Sequence, residues 1–335
     1  MSRLRHWLAL SAALAAAAPA AAVAVSPGTT IVSALAGPPK PSFLARIRAG
    51  EMGGVILVGR WTPAEFTATT AQLHAAGCAI GRPLLVLVDQ EGGFARRLTW
   101  AQPRHSEGEL GTLGVGTTRA EARAAAGALR RAGVDVDLAP VSDTLGPGGF
   151  LRGRAFGSDA ALVGSLAVAY LQALQAGGVA ATAKHFPGLG AARLSTDDHV
   201  VSVWTTPLAP FQRAVAAGVK LVMVSSASYP HLDTSRTPAV FSRPIVTDLL
   251  RRRMGFRGVV VSDALDAPAS ARTPDAPARA LAAGVDLLLY TGSSAAHAAY
   301  VQLARDAADS STVRANVAQA AARIRTLERW LGRGC

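Results

Sequence analysis

Eight short apolar runs recur along this chain, and they limit its fold more than any other feature. They are Ile31–Ala36, Gly54–Val58, Leu84–Val88, Val134–Leu138, Val179–Ala183, Leu221–Val224, Gly258–Val261 and Asp286–Leu289. Each has strand length, and most are rich in valine or leucine without strict polar alternation. That is the pattern of strands buried on both faces of a parallel sheet. Between them lie alanine-rich amphipathic stretches such as Arg119–Ala132, Ala160–Ala176 and Ala278–Ala283. Strands alternating with helices at this count predict a (β/α)8 barrel, with residues 297–331 as a closing helix or two. No glycine-rich dinucleotide fingerprint follows the first run, so a doubly wound nucleotide-binding sheet fits less well. With no internal repeat and no long linker, residues 25–335 read as one domain.

Residues 1–24 read as a secretory signal. Arg3, Arg5 and His6 precede the apolar stretch Trp7–Ala18, and Ala22-Val23-Ala24 supplies a small-x-small cleavage site. The stretch is short for a membrane span, and no cysteine near the cleavage site offers a lipid anchor. The expectation is a secreted or envelope protein without stable membrane insertion. Cys78 and Cys335 could pair in an oxidising compartment, but Cys78 reads as a buried helix residue and Cys335 as part of a frayed end. Two cysteines alone do not make a metal site. The net charge of +12 would suit an anionic polymer or lipid surface. It is spread along the sequence, however, and no basic run interleaved with aromatics points to nucleic acid.

In a barrel, chemistry collects at the C-terminal ends of the strands. The third run ends in Asp89-Gln90-Glu91-Gly92-Gly93, and the fourth leads to Asp137, Asp143, Arg152 and Arg154. The fifth ends in Lys184-His185 and the seventh in Ser262-Asp263. Aspartate and glycine are ordinary strand terminators, but polar ends on four strands together mark a binding mouth. Lys184 stands out further, because lysine occurs only at positions 40, 184 and 220 and arginine carries the remaining positive charge.

The stretch Lys184-His185-Phe186-Pro187-Gly188-x-Gly190, followed by Asp197-x-His199, resembles the signature of glycoside hydrolase family 3. It is similar in particular to the single-domain bacterial β-N-acetylhexosaminidases that act on N-acetylglucosamine in peptidoglycan. Gly53–Gly59, Val88–Gly93, Tyr229–Asp233 and Gly255–Asp263 match in order, so the likeness covers nearly the whole chain after residue 24. The resemblance implies Asp263 as a nucleophile that forms a glycosyl-enzyme, and His199 as general acid/base with Asp197 as its partner. It also implies Asp89, Arg97, Arg154, Lys184 and His185 as holders of the terminal sugar. It implies no cofactor and no metal, and a monomer acting on a carbohydrate. The chemistry stands on its own terms too. Retaining hydrolysis needs a rigid carboxylate below the sugar and a proton donor beside the leaving oxygen. Histidine titrates near neutrality and can serve in both directions.

Several positions depart from the pattern. The loop between Gly190 and Asp197 is about two residues longer, which makes Asp198-His199 an alternative pairing. Phe94 stands where an arginine is common, Ala264 where a second acid is common, and Ser226 where many relatives have histidine. Two other readings therefore stay open: a β-glucosidase-like member of the family, and a catalytically silent sugar-binding protein. A glucosidase of this family usually takes its acid/base from a second domain, for which the chain has no room. A metallohydrolase built on His185 and His199 lacks compact ligand spacing.

Overall fold

The computed structural model describes residues 25–335, so the expected signal segment lies outside the described residues. All eight apolar runs form barrel strands: β1 (Ile31–Ala36), β2 (Gly54–Val58), β3 (Leu85–Val88), β4 (Val136–Asp137), β5 (Ala180–Phe186), β6 (Leu221–Val224), β7 (Val259–Ser262) and β8 (Leu288–Tyr290). They run parallel in the spatial order β8-β1-β2-β3-β4-β5-β6-β7. A bridge from Val261 to Leu287 joins the ends of that order, and Ser262 N–H donates to Leu287 O at 2.8 Å. The sheet is therefore a barrel, as the alternation of runs predicts.

The apolar runs do not alternate in polarity because both faces of every strand are buried. Inward residues such as Val32, Ile56, Leu85, Leu87, Val136, Leu221 and Val261 fill the barrel. Outward residues such as Val55, Val86, Val222 and Val260 pack against the helical ring. That ring consists of α1 (Pro41–Arg48), α2 (Pro63–Cys78), α3 (Glu107–Arg131), α4 (Ala160–Ala176), α5 (Ala209–Ala216), α6 (Pro244–Arg253, wound as a π-helix), α7 (Ala276–Ala283) and α8 (Ser293–Asp309). A last helix, α9 (Ser311–Leu331), turns its apolar stripe Ile324, Leu327 and Leu331 onto the barrel interior. It plugs the N-terminal mouth, so a ligand can enter only at the other end.

Two expectations need adjusting. β5 does not stop at Ala183. It continues through Lys184 and His185 to Phe186, which pairs with Val224, and the Lys184–His185 and Phe186–Pro187 peptides are cis. Both basic side chains thus stand on the barrel wall itself. Cys78, expected to be buried, lies exposed at the end of α2 and is disulfide-bonded to Cys335, with Cα atoms 5.1 Å apart. The sequence pattern failed here because the apolar face of α2 is carried by Phe66, Leu73 and Ala76, which leaves Cys78 on its outer side.

The long connections after β4 and β5 are knitted together where they approach most closely. Gly146 N–H donates to Gly190 O at 2.8 Å, and Phe150 N–H donates to Ala192 O at 2.9 Å. A Cβ on Gly190 would run into the Thr144 carbonyl, so the glycine is a requirement of the backbone approach.

Candidate active site

The open mouth contains a pocket of about 240 Å³. Its lining includes Asp89, Arg97, Arg154, Lys184, His185, Asp197 and Asp263, which is seven of the eight residues expected from the sequence. Ile56, Leu138, Phe150, Met223 and Leu289 supply its apolar surface.

One wall is a network of charges. Lys184 Nζ lies 2.8 Å from Asp89 Oδ1 and 2.6 Å from Glu91 Oε1. Glu91 also takes both prongs of Arg154, Nε at 2.8 Å and Nη2 at 2.6 Å. Burial opposes ionisation of Glu91, but Lys184 and Arg154 outweigh it and hold its carboxyl down at about 2. Burial likewise works against the Lys184 ammonium, and the carboxylates of Asp89 and Glu91 keep it charged and above its usual range. Arg154 is held up in the same way by Glu91. Glu91 thus fixes two cations whose outer surfaces face the pocket. Arg97 reaches it from the bend directly after the Gln90–Gly92/Ala95–Arg96 hairpin, and its Nε is buried with no hydrogen-bond partner.

Behind this wall lie groups without access to the pocket. Glu107 accepts Val141 N–H at 2.9 Å, and burial next to the Glu91 charge pushes its carboxyl well up. Asp137 accepts Gln90 N–H at 2.9 Å and faces Tyr170 Oη at 3.5 Å; burial raises it to about 8. Asp143 organises His185. It accepts the backbone N–H at 3.0 Å and pairs with Nδ1 at 2.8 Å, and it takes Leu189 N–H as well. Assigning the Nδ1 proton to this contact leaves Nε2 as the imidazole's free acceptor.

Asp263 follows β7 directly, and its N–H donates to Val224 O at 2.9 Å. Its carboxylate is lightly held: Ala264 N–H donates at 2.8 Å, and Thr196 Oγ approaches at 3.4 Å. Asp266, three residues on, is saturated by Thr291 N–H, Thr291 Oγ and Gly292 N–H. Asp266 therefore ties the β7 and β8 loops together and leaves Asp263 as the free carboxylate of this strand end.

The 187–208 loop reaches the pocket through Ser195, Thr196 and Asp197. Partial desolvation by the pocket walls and the charge of Asp263 push the Asp197 carboxyl up. His199 is the residue that the structure does not bring in. Its side chain is exposed, does not line the pocket and makes no hydrogen bond to Asp197; its backbone N–H donates to Ser195 O at 3.0 Å. Asp197 and Asp198 are exposed as well, Asp197 at the edge of the pocket. The loop is also better anchored than its polar sequence suggests, because Leu189, Ala192, Thr196, Val201 and Val203 are buried.

The departures noted in the sequence take defined places. Phe94 is 75% exposed at the hairpin tip, Ala264 borders the pocket, and Ser226 bonds Ser270 at 2.9 Å. Glu107, Tyr170 and Thr196 have no distinct signal in the sequence. Glu107 follows Ser106, whose capping box with Glu109 is an ordinary helix start, and it reads as one more first-turn acid.

The family model for the glycosyl hydrolase family 3 N-terminal domain matches residues 36–327. A curated β-hexosaminidase from Methylobacillus flagellatus is 34% identical over 269 residues, covering 73% of this chain and 75% of its own. An uncharacterized secreted glycosyl hydrolase from Arthroderma benhamiae is 34% identical over 306 residues, covering 85% of this chain and 86% of its own. Among solved structures, the β-N-acetylhexosaminidase from Beutenbergia cavernae superposes with a TM-score of 0.85 at 32% identity, covering 90% of this chain and 97% of its own.

Proposed function

The chain belongs to glycoside hydrolase family 3, and on that footing we propose that it is a retaining exo-β-N-acetylhexosaminidase acting on terminal N-acetylglucosamine. The observation that carries this reading is Asp263: a lightly bonded carboxylate at a strand end, facing a small pocket whose opposite wall is rich in charge. In the first step an Asp263 oxygen bonds the anomeric carbon as the glycosidic bond breaks, and His199 protonates the departing oxygen. In the second, water attacks the same carbon, gives its proton to His199 and releases Asp263. Asp89, Arg97, Arg154, Lys184 and His185 hold the hydroxyls of the terminal sugar. The volume of about 240 Å³ falls below the roughly 300–1,000 Å³ of pockets for larger ligands, which suits one sugar unit and hence exo action.

His199 must enter for this chemistry, carried by the segment after Thr196 as Asp197 pairs with its ring. A second reading has its own support. Asp197 already lines the pocket with a raised carboxyl, so it can donate the proton itself. The two separate by pH profile: loss of the alkaline limb in Asp197→Asn with His199→Ala fully active favours the carboxyl.

The expected signal at residues 1–24 and the exposed Cys78–Cys335 disulfide support secretion into an oxidising compartment. Peptidoglycan-derived glycans are the proposed substrates there, and a monomer the proposed form. Trapping with a 2-fluoro sugar followed by peptide mass spectrometry tests the mechanism, with the label expected on Asp263. Rates on nitrophenyl N-acetylglucosaminide and nitrophenyl glucoside test the sugar. Preference for the glucoside would move the chain to the β-glucosidase-like reading, and inertness on both would favour a binding protein.

A further inference from the structure

Seven of the 34 lysines and arginines line one region of the fold far from the pocket. Three depressions of about 380, 610 and 590 Å³ flank the C-terminal half of α9 at the plugged mouth. The first and second share Thr326, and the second and third share Pro83, Arg325 and Glu328, so the three adjoin one another in series as a furrow around α9. Its cations are Lys220, Arg257 and Arg323 at one end, Arg325, Arg329 and Arg333 in the middle, and Arg82 at the other end. Glu328 is the single acid in that lining, and it already faces Arg82 and Arg325. Arg323 and Arg333 are spent on buried Asp286 and Asp135. That leaves Lys220, Arg257, Arg325 and Arg329 without an acid in salt-bridge range.

Helix dipoles explain arginines at helix C-termini, which converge on this mouth of any such barrel. They do not explain Lys220 and Arg257, which stand in the turns before β6 and β7, nor Arg325, well before the last turn of α9. Arg325 and Arg329 stand one helical turn apart, so their Cβ atoms are about 5–6 Å from each other and one extended chain can meet both.

We propose that this furrow binds a linear, flexible polyanion carrying phosphate along its length. Guanidinium groups match phosphate oxygens in pairs, and a concave track around a helix fits a chain better than a plane. A lipid surface fits poorly, because the exposed aromatic of this region, Trp330, lies under Lys220 Nζ at 4.7 Å. The same contact covers one face of the Trp330 ring against stacking by nucleic-acid bases. The pocket opens at the opposite mouth, so a docked polymer leaves it accessible and keeps the enzyme concentrated near its matrix.

The test measures binding of end-labelled long-chain inorganic polyphosphate by anisotropy across a salt series. The expected results are salt-sensitive binding, and a loss of about tenfold or more in the triple variant Arg257→Gln/Arg325→Gln/Arg329→Gln. Turnover of a nitrophenyl substrate should be unchanged by the polymer and by the variant. A control triple of exposed arginines elsewhere, Arg60→Gln/Arg104→Gln/Arg123→Gln, removes the same charge and should leave binding within about twofold. Equal weakening by both triples would overturn the proposal, because net charge would then suffice. Equal binding of polyglutamate of matched charge would overturn the phosphate assignment. Tighter binding to phosphatidylglycerol vesicles or to single-stranded DNA would replace the polymer with that partner.

Discussion

Both mouths of the barrel carry acids next to strand termini, and they differ in how completely those acids are satisfied. At the plugged mouth Asp286 takes Val260 N–H at 2.8 Å, Arg251 at 2.6 Å and Arg323 at 2.8 Å. Asp135 takes Val86 N–H at 2.9 Å, His74 at 3.0 Å and Arg333 at 2.6 Å. Each clamps a strand to a helix or to the chain end, and each carboxylate is held by three groups, although Arg333 Nη2 stays buried without a partner. At the open mouth Asp143 and Glu91 are just as saturated, but their neighbours Asp263 and Arg97 are not. Asp263 has one short hydrogen bond and one long one, and Arg97 Nε has no partner. Buried polar groups normally find partners; what sets the open mouth apart is a lightly bonded carboxylate, Asp263, that lines a pocket.

The largest expected effect tests that distinction directly. Asp263→Ala should remove detectable turnover and leave the melting temperature near that of the parent, because the carboxylate contributes little to packing. Asp286→Ala should do the reverse. It leaves two half-buried arginines without their shared buried acid, and breaking a buried pair costs up to about 3–5 kcal/mol, while the surviving folded fraction keeps its kcat. Denaturant melts alongside active-site-titrated rates read both quantities. If Asp286→Ala were silent in stability, partner saturation would fail as a criterion.

His199→Ala should come next in size. Removing a positioned acid/base costs on the order of 10²–10⁴ in rate. The loss should fall on substrates with poor leaving groups and largely spare a nitrophenyl aglycone, which departs without protonation. A comparable loss on both substrates would remove His199 from the proton-transfer role. A larger effect from Asp198→Ala than from Asp197→Ala would show that the longer loop has shifted the pairing.

Glu91→Gln offers a smaller and more diagnostic change. The amide keeps the shape but gives up charge-assisted bonds to Lys184 and Arg154, so kcat/KM should fall about ten- to a hundredfold. The loss should appear mainly in KM, because the cations lose their fixed aim without leaving the pocket. Steady-state kinetics show the split. A loss confined to kcat would mean that Glu91 acts on the reacting centre.

The barrel was legible because its strands are buried on both faces, and that leaves uninterrupted apolar runs at regular intervals. The sugar wall was legible for a related reason: polar residues that end several such runs must meet at one mouth. Asp143 and Glu91 stood out as strand-end acids, but their partners lie far away in sequence, so their role as anchors could not be read. His199 shows the limit from the other side. Spacing placed it two residues from Asp197, yet the turn at Ser195 aims one side chain into the pocket and the other outward. The disulfide was hidden because local pattern says nothing about whether a chain end returns to a helix 257 residues earlier.

The smallest expected effect concerns Asp137, which lies behind the sugar wall and does not face a ligand. Burial pushes its carboxyl to about 8, and the nearby charges of Asp89 and Glu91 add to the rise, against Gln90 N–H and Lys184, which lower it. Tyr170 Oη faces it from α4. In the unfolded chain the group has its ordinary value of 3.8. Between these values the folded state holds a proton that the unfolded state has lost, so stability falls as pH rises through that window and levels off above it. Asp137→Asn keeps an acceptor for Gln90 N–H and removes the titration. The variant's melting temperature should therefore decline less than the parent's between about pH 5 and about pH 8. Part of the slope should remain, because burial also raises Asp286 despite its two arginines. Parallel curves for parent and variant would mean that Asp137 is ionised in the folded protein. Lys184 would then be shared among Asp89, Glu91 and a third carboxylate, and Asp137 would join the sugar wall as a charged member.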